Sequence, residues 1–485
     1  MLILSCRVFQ AASASAVALA LLVSAGTGAA ADRGPDEALF RSIYRELVEL
    51  NTTESSGDTL IASQAMAARL IAAGWAKADV HVLSSGPRKG NLVARLRGKA
   101  GGNAGGKPGD KAGRRPLLLV AHIDVVEARR EDWAFDPFKL QEVDGYFRGR
   151  GTVDDKAMAA IFVTNLIRYR AEGLKPERDI ILALTTDEEL ADSPHNGMRW
   201  LLDNHRSLID AELAINEGGG GVLRNGRPVS LHVQHAEKVY RSFRLEVKDP
   251  GGHSATPRRD NAIYRLAEGL GRLARFEFPA RLNPVTSGYF AREARDAPPA
   301  IRAAIMALAA GNAAPEVIAP LAGRPAYNAQ IRTTCVATMV EAGHAENALP
   351  QTARATVNCR LLPDEQPAFV AATLQQVMAD ERVAVIPLGD VVESPASPMS
   401  PALMSAVETI SARMWPGVPV TPTQSGGYTD SRWLRRAGIP TYGVSGLFTE
   451  EGKSGTHGLD EHVGVNELFA AKAFLHALVK RLAGP

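Results

Sequence analysis

Leu117-Leu118-Leu119-Val120-Ala121-His122-Ile123-Asp124-Val125-Val126 is the stretch from which the fold can be read. Its first five residues are continuously apolar, as in a strand buried on both faces of a sheet. His122 and Asp124 follow at the C-terminal end of that strand, the edge where open α/β sheets bind ligands. The same order recurs twice. An apolar run at 180–184 leads into Thr185-Thr186-Asp187-Glu188-Glu189, and one at 213–215 leads into Asn216-Glu217-Gly218-Gly219. A further strand is expected at 441–444. Helical periodicity lies between these runs at 157–170 and 198–204. Residues 36–73 read as two amphipathic helices flanking the polar break Asn51-Thr52-Thr53. Strands alternating with helices predict an α/β fold with a mixed, mostly parallel sheet covered on both faces.

The middle of the chain has another texture. Residues 239–247, 332–340 and 353–361 alternate apolar and polar, the pattern of strands with one wet face. Helices at 263–276 and 368–379 would cover the other face. This predicts an α+β domain at 236–393, inserted into a first domain formed by 32–235 and 394–485. The Ala-rich stretch 291–322 is expected to be a helical arm. Residues 98–113, rich in Gly and Lys, read as a surface loop.

The 485 residues, 45% of them hydrophobic, exceed what a single core of roughly 250–300 residues uses, in keeping with two domains. A formal charge of +2 argues against a nucleic-acid partner, which asks for a concentrated basic face. Arg7, an apolar run at 11–25 and Ala29-Ala30-Ala31 describe a signal peptide over 1–31. The run is shorter than the roughly 20 residues of a membrane span. A periplasmic or secreted protein, with no stable membrane insertion after processing, is therefore expected. Export permits a disulfide between Cys335 and Cys359; two buried apolar thiols are the preferred reading.

Five motifs gather the chemistry: those at His122, Glu188-Glu189 and Glu217, together with Gly149-Arg150-Gly151-Thr152-Val153-Asp154-Asp155-Lys156 and Gly455-Thr456-His457-Gly458-Leu459-Asp460-Glu461. Each alone has a bland explanation, such as a structural His, a helix-start acid pair or a glycine turn. Together at strand ends they would repel or desolvate one another without a cation. Imidazole with carboxylate suits zinc and its neighbours better than calcium or magnesium.

These motifs resemble the co-catalytic zinc peptidases that include carboxypeptidase G, aminoacylase, yeast-type carboxypeptidase S and succinyl-diaminopimelate desuccinylase. The texture is nearest the carboxypeptidase S-like branch, through His122-Ile123-Asp124-Val125-Val126, Trp133 with Asp136-Pro137-Phe138, and His457-Gly458-Leu459-Asp460-Glu461. The resemblance implies a zinc-peptidase catalytic domain interrupted by a lid and dimerisation domain. It implies two Zn2+, with Co2+ or Mn2+ as substitutes. His122 and Glu217 would hold one ion, Glu189 and His457 the other, and Asp154 would bridge them. Asp124 would orient His122, and Glu188 would be the general base. Asp155 reads as a helix-start carboxylate. Glu127 and Ala157 depart from the family's usual Pro and Gly, which bears on loop shape and not on metal binding.

By the same resemblance, His253 in Gly251-Gly252-His253-Ser254-Ala255 would reach the active site of the other subunit of a homodimer. Asn347 would contact substrate. Arg360 would bind a substrate carboxylate, an assignment that stands beside a plain exposed strand residue. The loop Gly426-Gly427-Tyr428-Thr429-Asp430 resembles one near the substrate. Hinges are expected near 235–238 and 393–397. The implied substrate is a small peptide or N-acyl amino acid. The rivals are a desuccinylase or other amidase and a non-catalytic metal-binding homologue. No Gly-x-Ser-x-Gly elbow supports a serine hydrolase.

Overall fold

The structure is a computed structural model that describes residues 36–99, 114–190 and 193–484. The signal peptide expected over 1–31 and all but the first two residues of the expected 98–113 loop lie outside the described residues. No helix among the described residues is long and apolar enough to cross a membrane.

Among the described residues the main sheet has ten strands. At its centre, Ile180–Thr185, Leu117–His122, Leu213–Asn216 and Thr441–Gly443 run parallel, each hydrogen-bonded to the next. All six residues of Leu117–His122 and of Ile180–Thr185 are buried, as their unbroken apolar composition requires. Antiparallel strands Lys89–Leu96 and Val80–Gly86 extend one side. On the other side, Arg227–Glu237 pairs antiparallel with Gly220–Arg224 and parallel with Val420–Ser425. The sheet is mixed with a parallel centre, and helices Glu37–Glu49, Lys156–Ala171 and Val465–Ala483 contribute to one large apolar core.

Between Arg227–Glu237 and Val420–Ser425 the chain builds a second, four-stranded sheet, ordered Thr334–Ala342, Thr352–Leu361, Val239–Lys248, Val383–Leu388 and antiparallel throughout. Helices Ala262–Leu273 and Pro367–Met378 share its separate core. The alternation read from the sequence has its cause in Thr352–Leu361, which is buried at every second residue.

Two findings differ from the sequence reading. Cys335 and Cys359 form a disulfide and are not free thiols. They face each other directly across Thr334–Ala342 and Thr352–Leu361, a register that brings their Cα atoms to 4.1 Å. The 291–322 segment is helical as expected, within Pro284–Asp296, Pro299–Ala309 and Pro315–Ala322, with its own small core. It is not a free arm, because the first of these helices packs on Val420–Ser425 of the main sheet. Asn283 Nδ2 donates to the Gln424 side chain at 2.9 Å, and Gln330 Nε2 donates to the Gln424 carbonyl at 2.9 Å.

Candidate metal centre

The three central strands each end in a ligand-type residue. His122 closes Leu117–His122 and is 1% exposed. Glu188 and Glu189 follow Ile180–Thr185, and Glu217 follows Leu213–Asn216. The parallel register sets these ends side by side, with His122 opposite Thr185. Asp154 comes from the loop before helix Lys156–Ala171, and His457 from a loop before the last helix. His457 adopts φ 59°.

Asp154 sits between two histidines. Its Oδ1 lies 2.9 Å from His122 Nε2, and its Oδ2 lies 3.1 Å from His457 Nε2. Glu217 Oε1 is 3.6 Å from His122 Nε2, and Glu189 Oε2 is 3.0 Å from His457 Nε2. Ligand-type atoms of His122, Glu188 and Glu217 lie within 4.8 Å of one another, as do those of His122, Asp154 and Glu189.

Asp124 differs in detail from its expected role. The close partner of His122 Nδ1 is the Asp124 carbonyl at 3.0 Å, while the carboxylate stands 3.6 Å away. That carboxylate is occupied elsewhere: it accepts the Glu188 N–H at 3.2 Å and the Glu189 N–H at 3.0 Å. It thus fixes the acidic pair as well as the histidine. Glu127 accepts the N–H and hydroxyl of Ser55 at 2.9 and 2.8 Å, bracing the loop after His122.

The charge balance bears on a cation. Burial pushes the Glu188, Glu217 and Asp155 carboxyls well above their ordinary range. Burial also works to lower His122, but Glu217, Asp124 and Asp154 raise it well above the usual imidazole value. Hydrogen bonds to Asp154 and Glu189 lift His457 to about 10. Burial opposes ionisation of Asp154 too, yet the two histidines hold it below the ordinary carboxylate range. One buried oxygen of Glu188 and one of Asp155 have no hydrogen-bond partner. Carboxylates packed this densely around two imidazoles fit a divalent cation pair, which would supply balancing positive charge.

Three residues of the sequence motifs have positioning roles that the sequence did not reveal. Glu461, fully buried, accepts from Arg150 Nη1 at 2.7 Å, from Gly151 N at 3.0 Å, from Val153 N at 2.7 Å and from Asp154 N at 3.1 Å. It therefore anchors the loop that carries Asp154. Asp430, pushed up to about 6 by burial, accepts from Thr185 Oγ1 at 2.7 Å and Asn196 Nδ2 at 3.2 Å. Thr429 donates to Glu237 at 2.6 Å and accepts from Asn216 Nδ2 at 3.2 Å. Glu237 lies 3.1 Å from Arg435, whose Nε donates to Ser397 Oγ at 3.2 Å. The two crossings into the inserted segment are thereby tied to the strand ends of the centre. The motif around Glu461 was visible in the sequence. Its acceptor role was not, because every donor lies more than 300 residues away.

His253, Asn347 and Arg360 lie on the inserted segment. His253 pairs with Ala348, and Ser254 N donates to Asn347 O at 3.1 Å, which joins two motifs distant in sequence. Both His253 and Asn347 are exposed, and among the described residues no hydrogen bond or ion pair links either to the metal-ligand cluster. Arg360 donates to Gly426 O at 3.2 Å, and its guanidinium lies 4.8 Å from the Tyr240 ring centroid.

Residues 118–481 match the model of peptidase family M20/M25/M40. The chain belongs to that family. It is 32% identical over 366 residues to the N-fatty-acyl-amino acid synthase/hydrolase PM20D1 of Xenopus tropicalis, a match covering 72% of this chain and 69% of that protein. Among solved structures it resembles an M20 family metallo-carboxypeptidase, Sso-CP2 from Sulfolobus solfataricus, with TM-score 0.63 and 15% identity over 92% of this chain and 99% of that one. The YXEP protein of Bacillus subtilis, a dinuclear metal binding peptidase from the M20 family, aligns with TM-score 0.55 and 14% identity over 91% and 96%. These two structures show the fold. Membership in M20/M25/M40 makes this chain a metal-dependent amide hydrolase, as its motifs implied.

Proposed function

We propose that the chain hydrolyses the amide bond of a small peptide or N-acyl amino acid at a pair of metal ions, with Glu188 as general base. The observation that carries this reading is Asp154, whose two carboxylate oxygens face His122 and His457 separately. His122 and Glu217 would hold one ion, Glu189 and His457 the other, and Asp154 would join them. The mixed imidazole and carboxylate set favours zinc, with Co2+ or Mn2+ as substitutes. When bound, the ions supply Lewis acidity and bring the pKa of water towards neutrality.

Glu188 would take the proton of the attacking water, a role supported by its buried Oε1, which has no hydrogen-bond partner. The water oxygen bonds to the carbonyl carbon, the C–N bond breaks, and Glu188 returns the proton to the leaving nitrogen. Asp124 keeps Glu188 and Glu189 in place through their backbone N–H groups. Arg360 would receive the substrate carboxylate, and Asn347 would contact substrate.

A homodimer is part of the proposal. The outer strand Thr334–Ala342 leaves Val336, Met339 and Val340 at least 60% exposed, an apolar sheet edge of the kind that pairs with a second copy. His253, exposed in the single chain, would then serve the partner's site. The disulfide supports export to an oxidising compartment, periplasmic or extracellular.

Hydrolysis of a panel of dipeptides and N-acyl amino acids, before and after metal removal and with each metal restored, tests the reading. Cleavage that survives complete removal of bound metal would sink it.

A further inference from the structure

Lys89 opens the strand Lys89–Leu96, which pairs antiparallel with Ile180–Thr185. The register sets Leu92 opposite Leu184, and continued along both chains it brings Lys89 opposite Asp187. Lys89 Nζ donates to Asp187 Oδ1 at 2.8 Å, and both residues are buried. The other partner of Lys89 is Glu54, whose side chain is 51% exposed. Burial works to lower Lys89, but Asp187 and Glu54 raise it above the ordinary lysine value, so the ammonium stays charged. No step of the proposed chemistry uses this buried cation.

Asp187 immediately precedes Glu188 and adopts φ 57°, a left-handed conformation that a non-glycine residue keeps only where its surroundings enforce it. Ser193 Oγ donates to Asp187 Oδ2 at 2.6 Å, and Thr186 Oγ1 donates to Asp187 Oδ1 at 3.1 Å. Asn196 Nδ2 donates to the Asp187 carbonyl at 3.0 Å, while Asp124 accepts the Glu188 N–H at 3.2 Å. The peptide group between Asp187 and Glu188 is thus gripped at both its carbonyl and its N–H. We propose that Lys89 is a positioning residue for the general base: by pairing with Asp187 it fixes the left-handed turn from which Glu188 projects. The inference rests on the amide-hydrolase reading above.

The two acid partners of Lys89 differ in weight. A pair with a half-exposed carboxylate contributes little, because water competes for both charges. A buried carboxylate stripped of its cation is strongly penalised. Without the ammonium, the Asp187 carboxylate gains by turning towards water, and the turn that carries Glu188 follows it. Among the described residues Lys89 makes no hydrogen bond or ion pair with His122, Asp154, Glu189, Glu217 or His457. Its influence therefore reaches the base ahead of the ions.

The test measures kcat, KM, bound metal and the urea midpoint for Lys89→Met, Lys89→Arg, Glu54→Gln and the double variant Lys89→Met with Asp187→Asn, using the zinc-loaded full chain. Lys89→Met is expected to lower kcat about 10–100-fold, the scale of a small misplacement of a reacting group, with KM and bound metal unchanged. Lys89→Arg is expected to restore most of kcat, and Glu54→Gln to leave it at the parental value. Adding Asp187→Asn to Lys89→Met is expected to recover part of both kcat and the urea midpoint. Asparagine tolerates the left-handed conformation and brings no charge to compensate, and the hydroxyls of Thr186 and Ser193 can accept from its NH2 group as well as donate to its oxygen. A lysine that only packed its stem would show no such rescue. Parental kcat in Lys89→Met, or a double variant no better than Lys89→Met, would overturn the role of Lys89 while leaving the hydrolase reading intact. Should Lys89→Met not fold, a double variant that folds and turns over supports the proposal, and one that also fails to fold overturns it. A parent chain that cleaves no amide would overturn both.

Discussion

Replacing Glu461 with Gln removes one charge at a site that touches no substrate, yet it is expected to weaken metal binding. The carboxylate is fully buried and receives four donors, two on each oxygen. A carboxamide keeps one acceptor oxygen. If that oxygen stays with Arg150 and Gly151, the new NH2 group faces the N–H groups of Val153 and Asp154. Two buried donors are then left without acceptors, at about 1–3 kcal/mol each. If the amide turns the other way, its NH2 group faces Arg150 and Gly151 instead; in both orientations Arg150 also loses its buried counter-charge. Either way the variant is expected to lose about 2–6 kcal/mol of stability in urea unfolding. Because Asp154 N is among the donors, its loop loosens, and metal affinity measured by chelator competition is expected to fall about 10–100-fold. A variant with parental metal affinity and a loss below about 1 kcal/mol would refute the reasoning.

Thr429→Val removes the hydroxyl that joins Glu237 to Asn216. It is expected to cost about 1–3 kcal/mol in urea unfolding and to weaken metal binding by chelator competition, whereas Thr429→Ser keeps both properties. Changing both Cys335 and Cys359 to Ser opens a loop of sequence separation 24 and is expected to cost about 3 kcal/mol, read by denaturant unfolding under non-reducing conditions. Burial, followed by Arg168, lowers His476 to about 4. Between about 6.5 and 4 the unfolded chain binds a proton that the folded chain refuses, so stability falls as pH drops through that window. His476→Phe is expected to flatten that part of the pH profile of the urea midpoint.

Features carried by local composition were legible in the sequence. The continuously apolar run ending at Ala121 read as a strand buried on both faces, and it is one. Thr352–Leu361 alternates because one of its faces is wet. The ligand-type residues were legible because His122, Glu188, Glu189 and Glu217 all follow such runs. What depends on register or on distant backbone was not legible. Nothing in the spacing of Cys335 and Cys359 says that their strands pair with those two residues opposite. The acceptor role of Glu461 depends on amides at 151–154, and that of Glu237 on Thr429. The helices within 291–322 could be read, but their seat on Val420–Ser425 follows from packing across more than 100 residues.

Glu188→Gln, assayed for turnover and for bound metal on the same preparation, tests the central claim most directly. The account expects kcat to fall by about 10²–10⁴ while two ions per chain stay bound, because Gln cannot accept the proton but Asp124 still holds the backbone in place. Turnover within a few-fold of the parent would contradict the role of Glu188 as base. Loss of an ion would make Glu188 a ligand beside His122 and Glu217 instead.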